Sequence, residues 1–338
     1  MAGQGALGVA MLSFAHVHAD GYAHQVQSNP RAAIAVVWDE DVDRGRQAAA
    51  KYGVPFEADL AAALSHPGVS GVVCNAPTSM HEEVLIAAAR AGKHIFTEKV
   101  LAPTVAACDR ILDEVAKAGV RFVISLPQLC GREIRWAKEA IDEGKFGEIT
   151  FVRTRVGHNA ALGGWWKPGN WFRDPARAGG GALIDLGAHP VYRMRYLLGE
   201  PRSAMARLTS FRGAYEVEDN AVVLVEFQNG ALGSIEASWV QNGGPGGVAI
   251  YGTKGWALLE YPGAPVVAGG EAFTGSQGGH LVPGRLPEAW PMPMQQWIDA
   301  VLDSREPEIK PEFARQLTEI MEAANISERE RREVRWPR

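Results

Sequence analysis

An aspartate and a histidine stand four residues apart at the end of the glycine-rich segment that runs from Gly179 to His189. Because residues four apart lie on one face of a helix, the side chains of Asp185 and His189 are expected to meet. Oxidation of an alcohol needs a base that takes the hydroxyl proton while hydride leaves the carbon, and histidine suits this role near neutral pH. The glycines at the entry would let the helix begin against another backbone or a ligand.

A lysine stands where a strand is predicted to end. The apolar run His94–Phe96 leads into Glu98 and Lys99. In open α/β sheets ligands bind outside the carboxyl ends of the strands, so a lysine here would reach the crevice. In the alternative interpretation, Lys99 is a surface lysine. Asp185 and His189 would then be a pair on a helix surface that stabilises the helix by about 0.3 kcal/mol.

The bend after the first apolar run has the spacing of a dinucleotide-binding turn but lacks its glycines. Such turns hold a pyrophosphate against the backbone and against the N-terminus of the following helix. Ser13, Ala15 and His18 occupy the three positions where glycine is usual. The predicted cofactor contacts at this bend are Ser13, Phe14, Ala15 and His16.

Asp39 follows the second apolar run, 21 residues after His18. Rossmann domains place a ribose-binding carboxylate about 20 residues beyond the turn. A carboxylate there accepts bonds from the adenosine hydroxyls and repels a 2′-phosphate, so NAD is predicted in preference to NADP. Arg44 and Arg46 lie nearby and would soften that preference. The alternative is an ordinary acid at the N-terminus of the helix that starts at Val42.

Four histidines, His16, His18, His24 and His81, raise the question of a metal. The sequence offers no cysteine or carboxylate that obviously completes a set of three or four ligands. The three cysteines show no CxxC spacing, which also argues against structural zinc or a disulfide framework. We therefore predict no metal site.

The segment from Gly163 to Asp174 is unusually aromatic. Aromatic rings stack on the apolar C–H faces of sugars while arginine or aspartate bonds the hydroxyls, so Trp166, Trp171 and Arg173 are predicted substrate contacts. The alternative, given equal weight, is a packing cluster at a sheet edge or an oligomer contact, because aromatic residues are also enriched at interfaces.

Composition excludes several classes of protein. The 338 residues carry 34 basic and 39 acidic side chains, a formal net charge of −5, which does not suit a nucleic-acid binder. Every apolar run is much shorter than the about 18 residues that a membrane-spanning helix needs. The N-terminus lacks the charge pattern of a signal peptide. Together with the low cysteine content, this predicts a cytoplasmic protein.

Two periodicities divide the chain. Up to about residue 126, short apolar runs alternate with helical segments, which is typical of a doubly wound parallel sheet of the Rossmann type. Later, alternating runs flank Asn229-Gly230, a strong hairpin signal, and a second hairpin is predicted over 247–261. The expected architecture is therefore an α/β domain over 1–126 and an α+β domain over 127–338.

The second domain is expected to contain a large, mostly antiparallel open sheet with one helix near 182–198. The glycine- and proline-rich stretch Gly263–Pro293 is predicted to be a long loop or lid. The C-terminal helices would pack back on the first domain.

Several motifs taken together resemble the glucose–fructose oxidoreductase, inositol dehydrogenase and rhizopine catabolism family, Gfo/Idh/MocA. They are the segment Asn75–His81, the run from Ala91 to Lys99, the segment GGGALIDLGAH ending at His189, and the helix after Pro311. The resemblance covers essentially the whole chain. It implies an oxidoreductase that acts on sugars, polyols or their derivatives and forms dimers or tetramers through the open sheet.

The resemblance also implies roles for individual residues. Lys99, Asp185 and His189 would line the reaction centre and contact the substrate, with Lys99 bonding the reacting oxygen and His189 acting as acid and base. The implied cofactor contacts are Asn75, Pro77, His81, Glu98 and Lys99.

Three positions depart from the family pattern. Val100 replaces a proline after Lys99, Tyr192 replaces an acid commonly found three residues beyond the histidine, and Leu129 stands where an arginine is frequent. The leading hypothesis is an NAD-dependent dehydrogenase acting on CH–OH groups. The alternatives are an NAD-binding sensor without turnover, and a glycosidase or epimerase that recycles NAD.

Overall fold

A computed structural model describes residues 5–163 and 170–336, apart from the side chain of Tyr261. The chain divides into two compact units. The first comprises the chain up to Leu126 together with Pro291–Thr318. The second comprises Pro127–Trp290 and the chain from Glu319 onwards.

The first unit contains a six-stranded sheet in the order β3-β2-β1-β4-β5-β6, and every neighbouring pair is parallel. All residues of β1 and β4 are buried, as expected of strands covered on both faces. The order reverses between β1 and β4, which opens a crevice at their carboxyl ends. The predicted doubly wound sheet is confirmed. The strands are β1 Leu7–Leu12, β2 Ala32–Trp38, β3 Phe56–Glu57, β4 Gly71–Cys74, β5 His94–Thr97 and β6 Phe122–Ile124.

Helices connect these strands, and their ends carry the expected caps. Asp41 accepts hydrogen bonds from the first turn of α2, and Thr104 does the same for α5. Each of these two helices ends at a glycine with positive φ, Gly53 and Gly119. The helices are α1 Ala19–Ser28, α2 Val42–Tyr52, α3 Leu60–Ser65, α4 His81–Arg90, α5 Val105–Ala118 and, from later in the chain, α11 Pro293–Leu302.

The second unit contains a nine-stranded sheet in the order β14-β13-β12-β11-β7-β10-β9-β8-β15. Only the central pair, β7 with β10, is parallel among its neighbouring pairs. Both predicted hairpins are confirmed, the first turning at Asn229-Gly230. The strands are β7 Ile149–Gly157, β8 Pro201–Thr209, β9 Asn220–Phe227, β10 Leu232–Ser238, β11 Gly247–Gly252, β12 Trp256–Tyr261, β13 Ala264–Gly269, β14 His280–Leu281 and β15 Val334–Arg335.

Two sequence predictions for this unit are wrong. The stretch Gly263–Pro293 is not a continuous loop, because Ala264–Gly269 pairs with β12 as strand β13. Val266 and Ala268 alternate toward the core, a period-two signal that the glycine and proline content hid. The single helix predicted near 182–198 is two helices separated by Leu186 and Gly187.

Helices cover one face of the nine-stranded sheet, where α9 packs on β7 and β10. The other face exposes apolar side chains, among them Leu224, which is 54% exposed, and Leu232, which is 53% exposed. Among the described residues, no helix has both the length and the apolarity to cross a bilayer. The remaining helices are α6 Arg132–Asp142, α7 Pro175–Ala178, α8 Ala182–Asp185, α9 Ala188–Leu198, α10 Glu271–Thr274 and α12 Pro311–Glu330.

Candidate active site

The glycine-poor bend after β1 closes through its own polar groups. Ser13 adopts φ +71°, the left-handed conformation that glycine usually supplies, and its amide donates to Trp38 O at 2.7 Å. Its hydroxyl accepts the amide of Ala15 at 3.1 Å. The amide of His18 donates to His16 Nδ1 at 3.2 Å. Side-chain acceptors thus hold the bend in the shape that the missing glycines would otherwise favour.

Asp39 is buried directly after β2 and gathers four hydrogen bonds. Its Oδ2 accepts the amide of Phe14 at 2.8 Å and Arg44 Nε at 3.0 Å. Its Oδ1 accepts the amide of Asp41 at 2.8 Å and a terminal nitrogen of Arg44 at 2.6 Å. The helix N-cap is Asp41, so Asp39 is not the ordinary capping acid of the alternative interpretation. It joins the bend to the start of α2, and its contact with a ribose stays a prediction.

A cavity of about 390 Å³ lies beside the bend within the first unit. Ala15 and His16 line it from the bend, and Arg44 and Lys51 line it from α2. Lys51 pairs with Asp20 at 2.7 Å. Two cations and the backbone at the start of α1 make this a suitable environment for a phosphate-bearing ligand.

The loop after β4 carries a buried amide without a protein partner. Both polar atoms of the Asn75 side chain are buried and lack a hydrogen-bond partner within the described residues. Its backbone carbonyl accepts the amide of His16 at 3.2 Å, which ties this loop to the bend. Pro77 follows and precedes a 3-10 turn at Thr78–Met80. An orphaned amide at the point where the sheet order reverses fits a site completed by a polar ligand.

His81 braces two loops. Its Nδ1 lies 3.1 Å from Leu101 O and its Nε2 lies 3.0 Å from Ala76 O. The ring is buried, and burial lowers the pKa of His81. Both ring nitrogens therefore face backbone carbonyls of the loops that follow β4 and β5, and the neutral ring donates to one of the two.

Glu98 and Lys99 follow β5 directly and are both buried. The carboxylate of Glu98 accepts the hydroxyl of Tyr22 and lies 3.4 Å from His18 Nδ1. Burial opposes ionisation of this carboxyl, but nearby basic groups, His16 foremost, outweigh burial and lower its pKa below the usual range. The placement predicted for this pair, at the carboxyl end of a parallel strand, is confirmed.

Tyr22 is a site residue that the sequence did not reveal. It lies on α1, and its hydroxyl is also 2.7 Å from Ser125 Oγ, just after β6. Tyr22 and Ser125 are separated by 103 residues from each other, so no local pattern links them. The apolar face of α1 was the available signal, and it predicts burial without predicting the partner.

The fold brings His16, His18 and Glu98 together, with one potential ligand atom of each within 4.8 Å of the others. Sequence reasoning predicted no metal because it found no carboxylate for these histidines. His16 Nδ1 accepts the amide of His18 at 3.2 Å, and Nε2 of the same ring lies 4.0 Å from Glu98, so the three residues form a polar network, and the absence of a metal stays a prediction.

In the second unit, the glycine-rich segment begins α8 against another backbone, as predicted. The half-buried carboxylate of Glu218 accepts the amides of Gly181 and Leu183, each at 2.9 Å, and Glu218 O accepts the amide of Ala182 at 2.9 Å. A Cβ at Gly181 would lie 1.9 Å from Glu218 O. Burial raises the pKa of Glu218. Glu218 was missed because it is 37 residues from Gly181 in sequence.

Asp185 and His189 do not lie on one continuous helix, which corrects the basis on which they were paired. Asp185 ends α8 and His189 lies in the first turn of α9, with Leu186 and Gly187 between the two helices. Each side chain has a partner of its own. Asp185 Oδ2 accepts the indole N–H of Trp239 at 2.9 Å, and His189 Nδ1 lies 2.9 Å from the Tyr192 hydroxyl.

The aromatic segment supplies packing at the positions that the structure describes. Trp171 is buried and stacks on Phe172 with 4.2 Å between ring centroids. The guanidinium of Arg173 lies 5.3 Å from the ring centroid of Tyr215. Trp166 lies outside the described residues.

Comparisons with known proteins agree with this architecture. Residues 8–126 match the oxidoreductase family with an NAD-binding Rossmann fold, and residues 134–258 match the GFO/IDH/MocA C-terminal domain. The chain belongs to the Gfo/Idh/MocA oxidoreductase family. This confirms the resemblance and identifies the first unit as the NAD-binding part of a family member.

Two curated relatives of this Gfo/Idh/MocA protein are dehydrogenases. A levoglucosan dehydrogenase of Pseudarthrobacter phenanthrenivorans is 28% identical over 258 residues, which is 67% of this chain and 64% of the relative. A myo-inositol 2-dehydrogenase of Thermotoga maritima is 28% identical over 248 residues, 69% of this chain and 70% of the relative. The matched region thus spans about two thirds of these relatives.

A solved structure extends the match over nearly the whole chain. GenD2 from gentamicin A biosynthesis, determined in complex with NAD, is 28% identical and has a TM-score of 0.80. The match covers 98% of this chain and 97% of GenD2.

The close approach of Gly181 to Glu218 O predicts that a methyl group added at position 181 will destabilise the fold. Gly181→Ala would force the two backbones apart and should lower the free energy of unfolding by about 3 kcal/mol. Gly21→Ala is the matched control, since Gly21 lies in α1 with open space around its Cβ position, and it should raise stability by about 0.7 kcal/mol. Urea unfolding of both variants measures the difference. Equal stability of the two would contradict the close approach.

Proposed function

We propose that this chain oxidises a hydroxyl-bearing carbon of a sugar, a polyol or a sugar derivative, with NAD as the hydride acceptor. The observation that carries the proposal is the buried ammonium of Lys99 at the carboxyl end of β5, beside Glu98, in the NAD-binding unit. A buried lysine at this edge of a parallel sheet is positioned for a ligand. The substrate class is supported by the names of the levoglucosan and myo-inositol relatives.

The residues of the first unit fit a dinucleotide. The bend from Ser13 to His16 would hold the pyrophosphate, Asp39 with Arg44 would face the adenosine ribose, and Asn75 would receive its missing partner from the ligand. Bound NAD supplies the acceptor for the hydride that leaves the substrate carbon. We propose NAD in preference to NADP because Asp39 is a carboxylate at the end of β2.

The chemistry proposed for the chain's own groups is one proton transfer and two stabilising contacts. The Lys99 ammonium bonds the reacting oxygen, and Nε2 of His189 takes the hydroxyl proton as hydride leaves the same carbon. Asp185, held by the indole of Trp239, bonds a neighbouring hydroxyl of the substrate. Arg173 and the aromatic segment with Trp166 and Trp171 would contribute to the sugar pocket.

We also propose that the first unit binds the cofactor and the second unit binds the substrate. The protein is proposed to be a homodimer or homotetramer. The uncovered face of the nine-stranded sheet exposes Met205, Leu224, Leu232 and Tyr251, of which Met205 is 48% exposed. Exposed apolar side chains on one uncovered sheet face, interspersed with ion pairs such as Arg153 with Glu236, are compatible with a subunit interface. A cytoplasmic location is proposed because all three cysteines are buried free thiols.

The catalytic assignment is tested with a panel of sugars and inositols, NAD, and absorbance of the reduced nicotinamide. Lys99→Ala and His189→Ala should each lower kcat by about 100-fold or more, because each removes a group that acts on the reacting oxygen or its proton. NADH binding should persist. Lys93→Ala, at the other end of β5, and His24→Ala, on the surface of α1, are matched controls that should keep full turnover.

The result also separates the alternatives. Wild-type rates in both Lys99→Ala and His189→Ala would remove these residues from the mechanism. Tight NAD binding with no turnover on any substrate would instead indicate a sensor. Product formation without accumulation of NADH would indicate an enzyme that recycles NAD.

The role of Asp39 is tested by a paired substitution. Asp39→Asn removes the charge that faces the ribose and should weaken NADH binding by about 10-fold or more, measured by fluorescence titration. Asp41→Asn makes the same chemical change two residues away and should leave the Kd unchanged, since asparagine caps a helix as well as aspartate. An equal Kd for both variants would exclude Asp39 from the cofactor site.

The assembly is tested by placing a charge on the uncovered sheet face. Leu224→Glu should lower the mass measured by sedimentation velocity toward that of one chain, because the carboxylate would be desolvated in the interface. Met292→Glu, at an exposed apolar residue of the first unit, is the control and should leave the mass unchanged. A wild-type protein that sediments as one chain would refute the proposed oligomer.

A further inference from the structure

We propose that Tyr215 is a positioning residue for substrate binding, because its ring holds Arg173 directly and Asp185 through the indole of Trp239. This inference rests on the proposed function, in which Arg173 and Asp185 contact substrate hydroxyls. It assigns a role to the connection between β8 and β9, residues 210–219, which belongs to the second unit. Tyr215 acts through these two side chains and is given no contact with the substrate.

The connection between β8 and β9 is closed by one buried carboxylate. Asp219 is fully buried, and its carboxylate accepts the amides of Phe211 at 2.7 Å and Arg212 at 2.9 Å. The amide of Asp219 donates to Thr209 O at 3.0 Å. These bonds tie both ends of the connection together, although most of its side chains are exposed.

The same carboxylate orients the ring of Tyr215. The Tyr215 hydroxyl donates to Asp219 Oδ2 at 2.9 Å. Burial and this hydrogen bond raise the pKa of Tyr215, so the hydroxyl keeps its proton and stays a donor at neutral pH. A ring anchored at its hydroxyl end can present a fixed face and a fixed edge to its neighbours.

Two side chains from other parts of the second unit contact this ring. The guanidinium of Arg173 lies 5.3 Å from the Tyr215 ring centroid, within the distance at which the face of an aromatic ring attracts a cation. The indole of Trp239 meets the Tyr215 ring at 71° with 6.4 Å between centroids, an edge-to-face arrangement. The Tyr215 ring therefore joins the segment before α7 to the residue that follows β10.

Trp239 extends the constraint to Asp185. Trp239 is fully buried, and its indole N–H donates to Asp185 Oδ2 at 2.9 Å. Its backbone amide donates to Asp219 O at 2.8 Å, so the residue that anchors Tyr215 also anchors Trp239. A donor held in this way restricts the orientation of the Asp185 carboxylate. One aromatic pair thus connects a guanidinium that donates to a carboxylate that accepts, which suits recognition of two hydroxyls of one substrate.

The experiment measures steady-state kinetics of the full chain on the member of the sugar and inositol panel with the highest kcat/KM. Tyr215→Leu removes both ring contacts, so KM for this substrate should rise by about 10-fold while kcat changes by less than about 3-fold. KM for NAD should stay unchanged, because Tyr215 belongs to the second unit and the NAD-binding match covers the first. A variant that had only lost part of its folded population would instead lower kcat and keep KM.

Tyr215→Phe is the conservative variant, and Phe211→Leu is the matched control. Tyr215→Phe keeps both ring contacts and loses only the hydrogen bond to Asp219, so KM should rise by about 3-fold at most. Phe211→Leu removes an aromatic ring from the same connection, but this ring is 77% exposed, and both kinetic constants should stay unchanged. A KM for Tyr215→Phe as high as that for Tyr215→Leu would overturn the role given to the ring.

Double-mutant cycles test whether Tyr215 acts through the two side chains. If Arg173→Ala alone raises KM by about 10-fold, independent effects would multiply to about 100-fold when it is combined with Tyr215→Leu. Action through Arg173 predicts a KM well below this product. The same cycle with Asp185→Asn tests the route through Trp239.

The outcomes separate this inference from the proposed function. Multiplicative effects in one cycle would remove that side chain from the inference, and multiplicative effects in both cycles would overturn it. A wild-type KM in Tyr215→Leu, or an equal rise of KM for NAD, would also overturn it. Absence of turnover by the wild type on every member of the panel would instead overturn the proposed function, together with the inference that rests on it.

Discussion

The first unit depends on the hydrogen bonds that the buried carboxylate of Asp39 accepts. A bend without glycine has to satisfy its backbone amides by some other means, and Asp39 accepts the amide of Phe14 from that bend. The same carboxylate accepts the amide of Asp41 and hydrogen bonds from Nε and one terminal nitrogen of Arg44, so it also fixes the entry to α2. One side chain thus joins two strand-to-helix connections whose relative position decides where a dinucleotide can lie.

The second unit also depends on a carboxylate that accepts backbone amides from a distant part of the chain. Glu218 satisfies the amides at the start of α8, where Gly181 allows the backbone to pass closer than any side chain would permit. That contact places Asp185 at the end of a short helix, against the indole of Trp239. On the next helix, the hydroxyl of Tyr192 lies 2.9 Å from His189 Nδ1. In both units, residues distant in sequence hold the polar groups expected to act on the substrate.

The periodicity of the sequence predicts most of the elements, because alternation between burial and exposure is a local property. The parallel strands of the first unit and the hairpin at Asn229-Gly230 follow from it directly. Strand β13 escaped because its glycines and prolines suggested a loop, although Val266 and Ala268 alternate toward the core. The interruption at Leu186 and Gly187 escaped because a spacing of four residues predicts that both side chains lie on one continuous helix. No local pattern identifies the partners of Tyr22, Glu218 and Trp239, since their contacts are set by the tertiary fold.

The two outermost strands of the large sheet are each two residues long, His280–Leu281 on one side and Val334–Arg335 on the other. A long outer strand offers a row of unpaired backbone groups on which a foreign chain can add and propagate into fibrils. Here β14 and β15 each pair with only two residues of the neighbouring strand, and on the β8 side Ser327 Oγ accepts the amide of Ala206 and Glu328 Oε2 accepts the amide of Leu208. Side chains of α12 thus occupy edge amides of β8 with which a foreign strand would otherwise pair.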